Sequence, residues 1–116
     1  MKQYRIQDPV YGMKLNLFVG GSFKDYQNML KHYTGTEQEH YDDETEGIYS
    51  YFPEQELYFM WVKDDKNIAI LAHEILHLVF ELLHRKGITY CSESEEAFTY
   101  DFQWWLETIL AKSKKK

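Results

Sequence analysis

Two histidines and a glutamate fall within five consecutive residues of an apolar stretch, His73, Glu74 and His77, in the pattern H-E-x-x-H. On a helix, residues four apart project from one face, separated by about 6 Å in rise, so both imidazoles can bind one zinc ion. Glu74 lies at the edge of that face, where its carboxylate can act as general base on a water that the zinc activates. The pattern therefore predicts hydrolytic chemistry with Zn²⁺ as cofactor.

The other polar residues of this segment share the same face. At about 100° per residue, with His73 as zero, His84 falls near 20°, His77 near 40°, Glu81 near 80° and Glu74 near 100°. Burying such groups without partners is costly, whereas a metal ion or a water-filled cleft compensates them. The stripe therefore favours a site over the alternative, which is a set of hydrogen-bonded core histidines beside a solvated face.

A catalytic zinc needs a third protein ligand beyond the two histidines. His84 is an unsuitable candidate, because an unbroken helix would place it about 10 Å in rise beyond His77. The glutamates at the start of the last predicted helix are better candidates, since a short connection would fold that helix back beside the first. Its periodicity modestly favours Glu96, which has the small Ala97 next to it, and leaves Glu95 as the alternative.

The elements that must position these residues follow from periodicity and from cap residues. We predict a strand over 14–19, a helix from Ser22 to about Tyr33, a hairpin of two strands over 48–52 and 56–62, a helix over 67–86 capped by Asp64 or Asp65, and a last helix from Ser92 to about Ala111. The order β-α-β-β-α-α indicates an α+β fold, with a small, mostly antiparallel sheet packed on the two site helices.

Length and charge limit what the chain can do. Its 116 residues, with a net charge of −6, predict a single domain over 1–111 followed by a basic tail over 112–116. The acidic stretch 37–46 is typical of a solvated loop, and the acidic balance disfavours nucleic-acid partners. One cysteine, no leader-like apolar core in the first eight residues and no long apolar run indicate a cytoplasmic protein without a membrane partner.

The segment 71–78 (LAHEILHL), followed some twenty residues later by 95–100 (EEAFTY), resembles small gluzincin-type metallopeptidase domains of the ImmA/IrrE kind. It resembles still more closely short phage-encoded H-E-x-x-H proteins. The resemblance implies a minimal zincin-like fold, a third metal ligand at the glutamate that precedes alanine, here Glu96, and a peptide or protein substrate paired with the strand over 56–62. Phe98 departs from the asparagine that follows this alanine in the ImmA/IrrE pattern.

These observations predict a zinc-dependent metallopeptidase that works, if phage-encoded, in the host cytoplasm. Glu74 would be its base, and Tyr100, one turn after Glu96, would donate to the developing oxyanion unless it is buried against Trp104. The alternative is a catalytically inactive, metal-stabilised interaction protein that targets a host factor. A metal-dependent ribonuclease of the YbeY kind is disfavoured, because its histidine spacing differs.

Overall fold

Four strands and three helices make up the part of the chain that the computed structural model describes, residues 1–35 and 44–114. In chain order they are β1 (Lys2–Gln7), β2 (Lys14–Val19), α1 (Phe23–Thr34), β3 (Gly47–Phe52), β4 (Leu57–Val62), α2 (Ile68–Arg85) and α3 (Glu95–Lys114). The α+β class is confirmed. The sequence pattern missed β1.

The sheet has the order β1-β2-β4-β3 and mixes both strand directions. Strands β1 and β2 pair antiparallel, as do β3 and β4, whereas β2 and β4 pair parallel. Since β4 is hydrogen-bonded to a strand on each side, the expectation that residues 56–62 pair an extended substrate is wrong. The strand beside it, β3, has an edge that no other described strand occupies.

Side chains alternate between the two faces along each strand, so the sheet presents apolar side chains on both faces. Helices cover both of these faces. Helix α1 covers one face with a cluster rich in aromatic residues, namely Phe18, Phe23, Tyr26, Leu30, Phe59 and Trp61. Helices α2 and α3 share the other face with a larger aliphatic cluster that includes Leu17, Met60, Leu71, Ile75, Leu78 and Trp105. The result is a three-layer domain whose site helix, α2, is fixed along its whole length.

Local hydrogen bonds define the helix ends. Ser22 and Asp25 form the capping box of α1. Helix α2 begins after Asn67, whose side chain accepts from the backbone N–H of Ile70, rather than at the predicted Asp64 or Asp65. Asn67 forms the cap because Asp64 instead accepts from a backbone N–H two residues on, within the preceding turn.

Helix α2 ends in a glycine-dependent turn that directs the chain back along it. Gly87 has a φ of 77°, its N–H donates to the carbonyl of His84 at 3.0 Å, and the N–H of Ile88 donates to Leu83 at 2.9 Å. These two bonds, together with one from the N–H of Lys86 to the same carbonyl of Leu83, pair carbonyls at the end of the helix. Helix α3 then packs beside α2, with the rings of Phe80 and Phe98 5.2 Å apart.

The bounds of α3 differ from the prediction at both ends. It begins at Glu95 rather than near Ser92, because the hydroxyl of Ser94 donates to the carbonyl of Thr89 and accepts from the N–H of Cys91, which holds residues 89–94 in a turn. It continues to Lys114, so most of the predicted basic tail is helical. Most of the predicted acidic loop 37–46 lies outside the described residues, which contain no helix long and apolar enough to cross a membrane.

Candidate metal centre

The two motif histidines converge at the surface of α2. Their Nε2 atoms are 3.3 Å apart. Two nitrogens bound to a tetrahedral zinc at 2.0 to 2.1 Å would be about 3.3 to 3.4 Å apart, so the spacing suits zinc. The same distance allows one neutral imidazole to donate a hydrogen bond to the other, so a proton and a metal ion would compete for this pair.

Glu74 brings a buried carboxylate to the same place. The residue is only 7% exposed, and its Oε2 lies 4.0 Å from Nε2 of His73, whose side chain is 66% exposed. Burial raises the pKa of Glu74, while His73, His77 and the backbone N–H of Tyr49 act in the opposite direction. One donor atom from each of His73, Glu74 and His77 lies within 4.8 Å of the others.

The apolar face of α2 explains why these side chains point as they do. Leu71, Ile75, Leu78 and Leu82 recur at intervals of three or four residues and are fully buried against the sheet. With that face fixed, positions 73 and 77 must lie on the solvent side. The H-E-x-x-H pattern therefore becomes one exposed pair of imidazoles beside one buried carboxylate.

Strand β3 passes unusually close to Glu74 at Gly47. A Cβ atom built on Gly47 would lie 2.7 Å from Cγ2 of Ile70 and 3.2 Å from Cγ of Glu74, so no side chain fits between the strand and α2. This contact was missed in the sequence, where nothing distinguishes Gly47 from a turn glycine. It places the carboxylate of Glu74 directly beside the outer edge of the sheet.

The hydrogen bonds of β3 show which of its backbone groups face outward. Lys63 donates to the carbonyl of Glu46 at 2.9 Å, so this pair and every second residue after Glu46 bond to β4. The alternate residues, 47, 49 and 51, therefore direct their N–H and C=O groups away from β4. The N–H of Tyr49 is one of these groups, and Glu74 accepts its hydrogen bond.

A cleft of about 600 Å³ extends from His77 along α2. Its walls are Phe80, Glu81 and His84 on the helix and Tyr49 and Tyr51 on β3. The predicted polar stripe of α2 thus lines a real depression between the helix and the edge strand. His84 belongs to this cleft and lies outside the group of three donor atoms, as its helical rise predicts.

The structure does not bring the predicted third ligand to the histidines. Glu95 and Glu96 are both exposed on the first turn of α3, and Glu96 shares the solvent face of that helix with Tyr100, Gln103 and Glu107. Among the described residues, the only group of three or more possible metal donors is His73, Glu74 and His77. The ligand role of Glu96, or of Glu95, stays a prediction.

Tyr100 lies on the solvent face of α3. It is 67% exposed, so the alternative in which it is buried against Trp104 is wrong. The buried face of α3 is instead formed by Phe98, Asp101, Trp105 and Ile109. Its proposed role as oxyanion donor stays a prediction.

Comparison with family models, with curated protein sequences and with solved structures gives no significant match for this chain.

Proposed function

We propose that the protein is a zinc-dependent metallopeptidase whose ion is held by His73 and His77 and whose base is Glu74. The observation that supports it best is geometric: the two imidazole nitrogens have the separation of a tetrahedral zinc pair, and a buried carboxylate lies 4.0 Å from one of them. A single helix supplies all three groups. The resemblance to gluzincin-type domains points to the same reaction.

The residues around the pair suit peptide hydrolysis. Zinc would supply electrophilic polarisation of the substrate carbonyl and a water that is ionisable near neutral pH. Glu74 would take the proton from the attacking water and pass it to the leaving amine. The outward groups of β3 that Glu74 does not occupy, those of Gly47 and Tyr51 and the C=O of Tyr49, can pair with an extended peptide, which would then lie across the front of Glu74.

The alternative, a metal-stabilised interaction protein, fits the location of the site less well. Structural zinc sites are closed, usually with four protein ligands. Here both histidines are exposed and lie outside the two apolar clusters that build the fold. The two apolar clusters do not depend on a metal at this place, so we expect the protein to remain folded when a chelator removes the metal.

The first experiment measures zinc content and peptide cleavage in the same proteins. Protein purified without added ions should hold about one zinc per chain by mass spectrometry, and it should cleave a mixed peptide library in a chelator-sensitive way. His77→Ala should lose both properties, whereas the control His32→Ala, on α1, should keep both. Absence of zinc from the wild-type protein, or cleavage that a chelator leaves unchanged, would contradict the proposal.

A second experiment tests the third ligand. Glu96→Ala should lower zinc content and raise the zinc concentration needed for half occupancy, while Glu95→Ala, its neighbour on the same exposed turn, should not. The opposite result would assign the role to Glu95. If neither variant changes zinc binding, the third protein ligand comes from neither residue.

A further inference from the structure

A basic pocket of about 480 Å³ opens where the end of α2 meets the start of β2. Lys14, Arg85 and Lys86 contribute positive charge to its wall, and Glu56 contributes the single negative charge. The whole chain has a net charge of −6, so a pocket with three cationic side chains and one anionic one differs from the chain's overall acidic balance. A concave surface of this kind favours an anionic ligand.

The cations of the pocket differ in how firmly they are held. The guanidinium of Arg85 lies 4.5 Å from the centre of the Tyr51 ring and 3.5 Å from a carboxylate oxygen of Glu81, which fixes its direction. Within 1–35 and 44–114, neither Lys14 nor Lys86 forms an ion pair. These two ammonium groups are therefore available to a ligand.

The pocket adjoins, at Tyr51, the cleft that begins at His77. Tyr51 lines both, and its ring stacks on that of Tyr58, another wall of the pocket, with centroids 4.6 Å apart. His77 and Arg85 are eight residues apart on one helix, a rise of about 12 Å. An extended chain covers that distance in three to four residues at about 3.4 Å each.

We propose that this pocket binds a carboxylate of an extended peptide, three to four residues from the bond held at the histidine pair. The carboxylate is either an acidic side chain or the peptide's C-terminus, since both present the same chemistry to Lys14 and Lys86. The proposal rests on the proposed peptidase function for the identity of its ligand. The binding itself requires no metal.

Binding is measured on the Glu74→Gln protein without zinc, so that no cleavage interferes. The probes are eight-residue Gly/Ser peptides with a neutral dye, carrying one Glu, one Gln or neither, each with a free or an amidated C-terminus. We expect the Glu peptide or the free C-terminus to bind at least five-fold more tightly than its neutral counterpart, which identifies the source of the carboxylate. Equal affinities for all of these peptides would overturn the proposal.

Lysine variants locate the binding. Lys14→Gln and Lys86→Gln should each weaken binding of the anionic peptide about five-fold and leave binding of the neutral peptide unchanged. Glu56→Gln should tighten binding of the anionic peptide. Lys24→Gln, which removes the same charge from α1, is the matched control. An equal loss in Lys24→Gln would show that only net charge matters, and would overturn the pocket assignment.

The spacing is tested separately with zinc-loaded protein and peptide hydroxamates, which anchor one end at a metal. A glutamate three or four residues from the hydroxamate should tighten inhibition of peptide cleavage, and one placed directly next to it should not. If inhibition does not depend on the position of the glutamate, the proposal that one peptide occupies both the cleft and the pocket is overturned. Lysine-dependent binding in a protein that never cleaves peptides would instead count against the peptidase function alone.

Discussion

Two neighbouring helices each bury one carboxyl group, and the surroundings of the two groups differ. Glu74 on α2 is 7% exposed, with two imidazoles and a backbone N–H beside it. Asp101 on α3 is also 7% exposed, but its neighbour is another acid, Asp8, which is 2% exposed. Burial raises the pKa of both groups. Two imidazoles and a backbone N–H oppose that rise at Glu74, whereas Asp8 raises the pKa of Asp101 further and only the Trp105 side chain opposes it.

The pair of acids connects the β1–β2 turn to α3. One oxygen of Asp8 accepts from the N–H groups of Val10 and Tyr11, while its other oxygen and one oxygen of Asp101 are buried without a partner. With Asp8 beside it, the neutral, protonated form of Asp101 is favoured. Under the proposed function, the burial of Glu74 serves catalysis, whereas the burial of Asp101 makes the stability of the fold depend on pH.

The strongest test of this distinction is removal of each charge without change of shape. Glu74→Gln should keep bound zinc and lower peptide cleavage by about 10²- to 10⁴-fold, the usual loss for a general base. Asp101→Asn should leave cleavage within about two-fold of wild type, as should the surface control Glu107→Gln. The measurements are zinc content and the initial rate of cleavage of one peptide. A Glu74→Gln protein that still cleaves the peptide would refute the assignment of Glu74 as the base.

The second test uses pH. Burial first, and Asp8 second, raise the pKa of Asp101 from 3.8 to about 7, so the folded protein keeps a proton that the unfolded chain releases near pH 4. The free energy of unfolding should therefore fall as pH rises from about 4 to 7, by up to about 4 kcal/mol, and level off above that range. Asp101→Asn should flatten the decline in urea titrations, and an unchanged slope would exclude Asp101 as its source.

The third test asks whether the close contact of β3 with α2 at Gly47 holds Glu74 in position. Gly47→Ala should cost about 1 to 3 kcal/mol, because the new methyl group overlaps Ile70 and presses on Glu74. It should also lower cleavage, since Glu74 is held by the same strand. Ile70→Ala removes the nearest obstructing atom, so the double variant should recover part of both losses. If cleavage is unchanged in Gly47→Ala, the position of Glu74 does not depend on this contact.

The sequence predicted the helices of the site better than its sheet. The cap residues Ser22 and Gly87 mark helix ends directly, and the buried stripe of α2 follows from its periodicity. Strand β1 gave little signal, because Ile6 is its only buried residue. The interior place of β4 had a signal that the prediction did not use: the unbroken run LYFMWV is typical of a strand covered on both faces.

The site shows the same division between local and tertiary information. Spacing alone placed His73 and His77 on one face, because the helix repeat fixes it. The position of Glu96 depends instead on how α3 rotates, and the burial of Phe98, Asp101 and Trp105 turns the face that carries Glu96 toward solvent. The burial of Asp101 in that face could not be expected from its residue type. Nor could the close approach of Gly47, which is a contact between distant segments.

The smallest expected effect distinguishes the two causes of the Asp101 pKa shift. Asp8→Asn removes the neighbouring charge and leaves the burial of Asp101 in place, and its amide oxygen can still accept from Val10 and Tyr11. Because burial is the largest single cause, part of the pH-dependent decline should remain, so the variant should recover only a fraction of the decline of about 4 kcal/mol at pH 8. Urea titrations at pH 5 and pH 8, with the surface variant Glu107→Gln as the control, measure it. A decline that disappears entirely would make the repulsion between the two acids, rather than burial, the feature that separates Asp101 from Glu74.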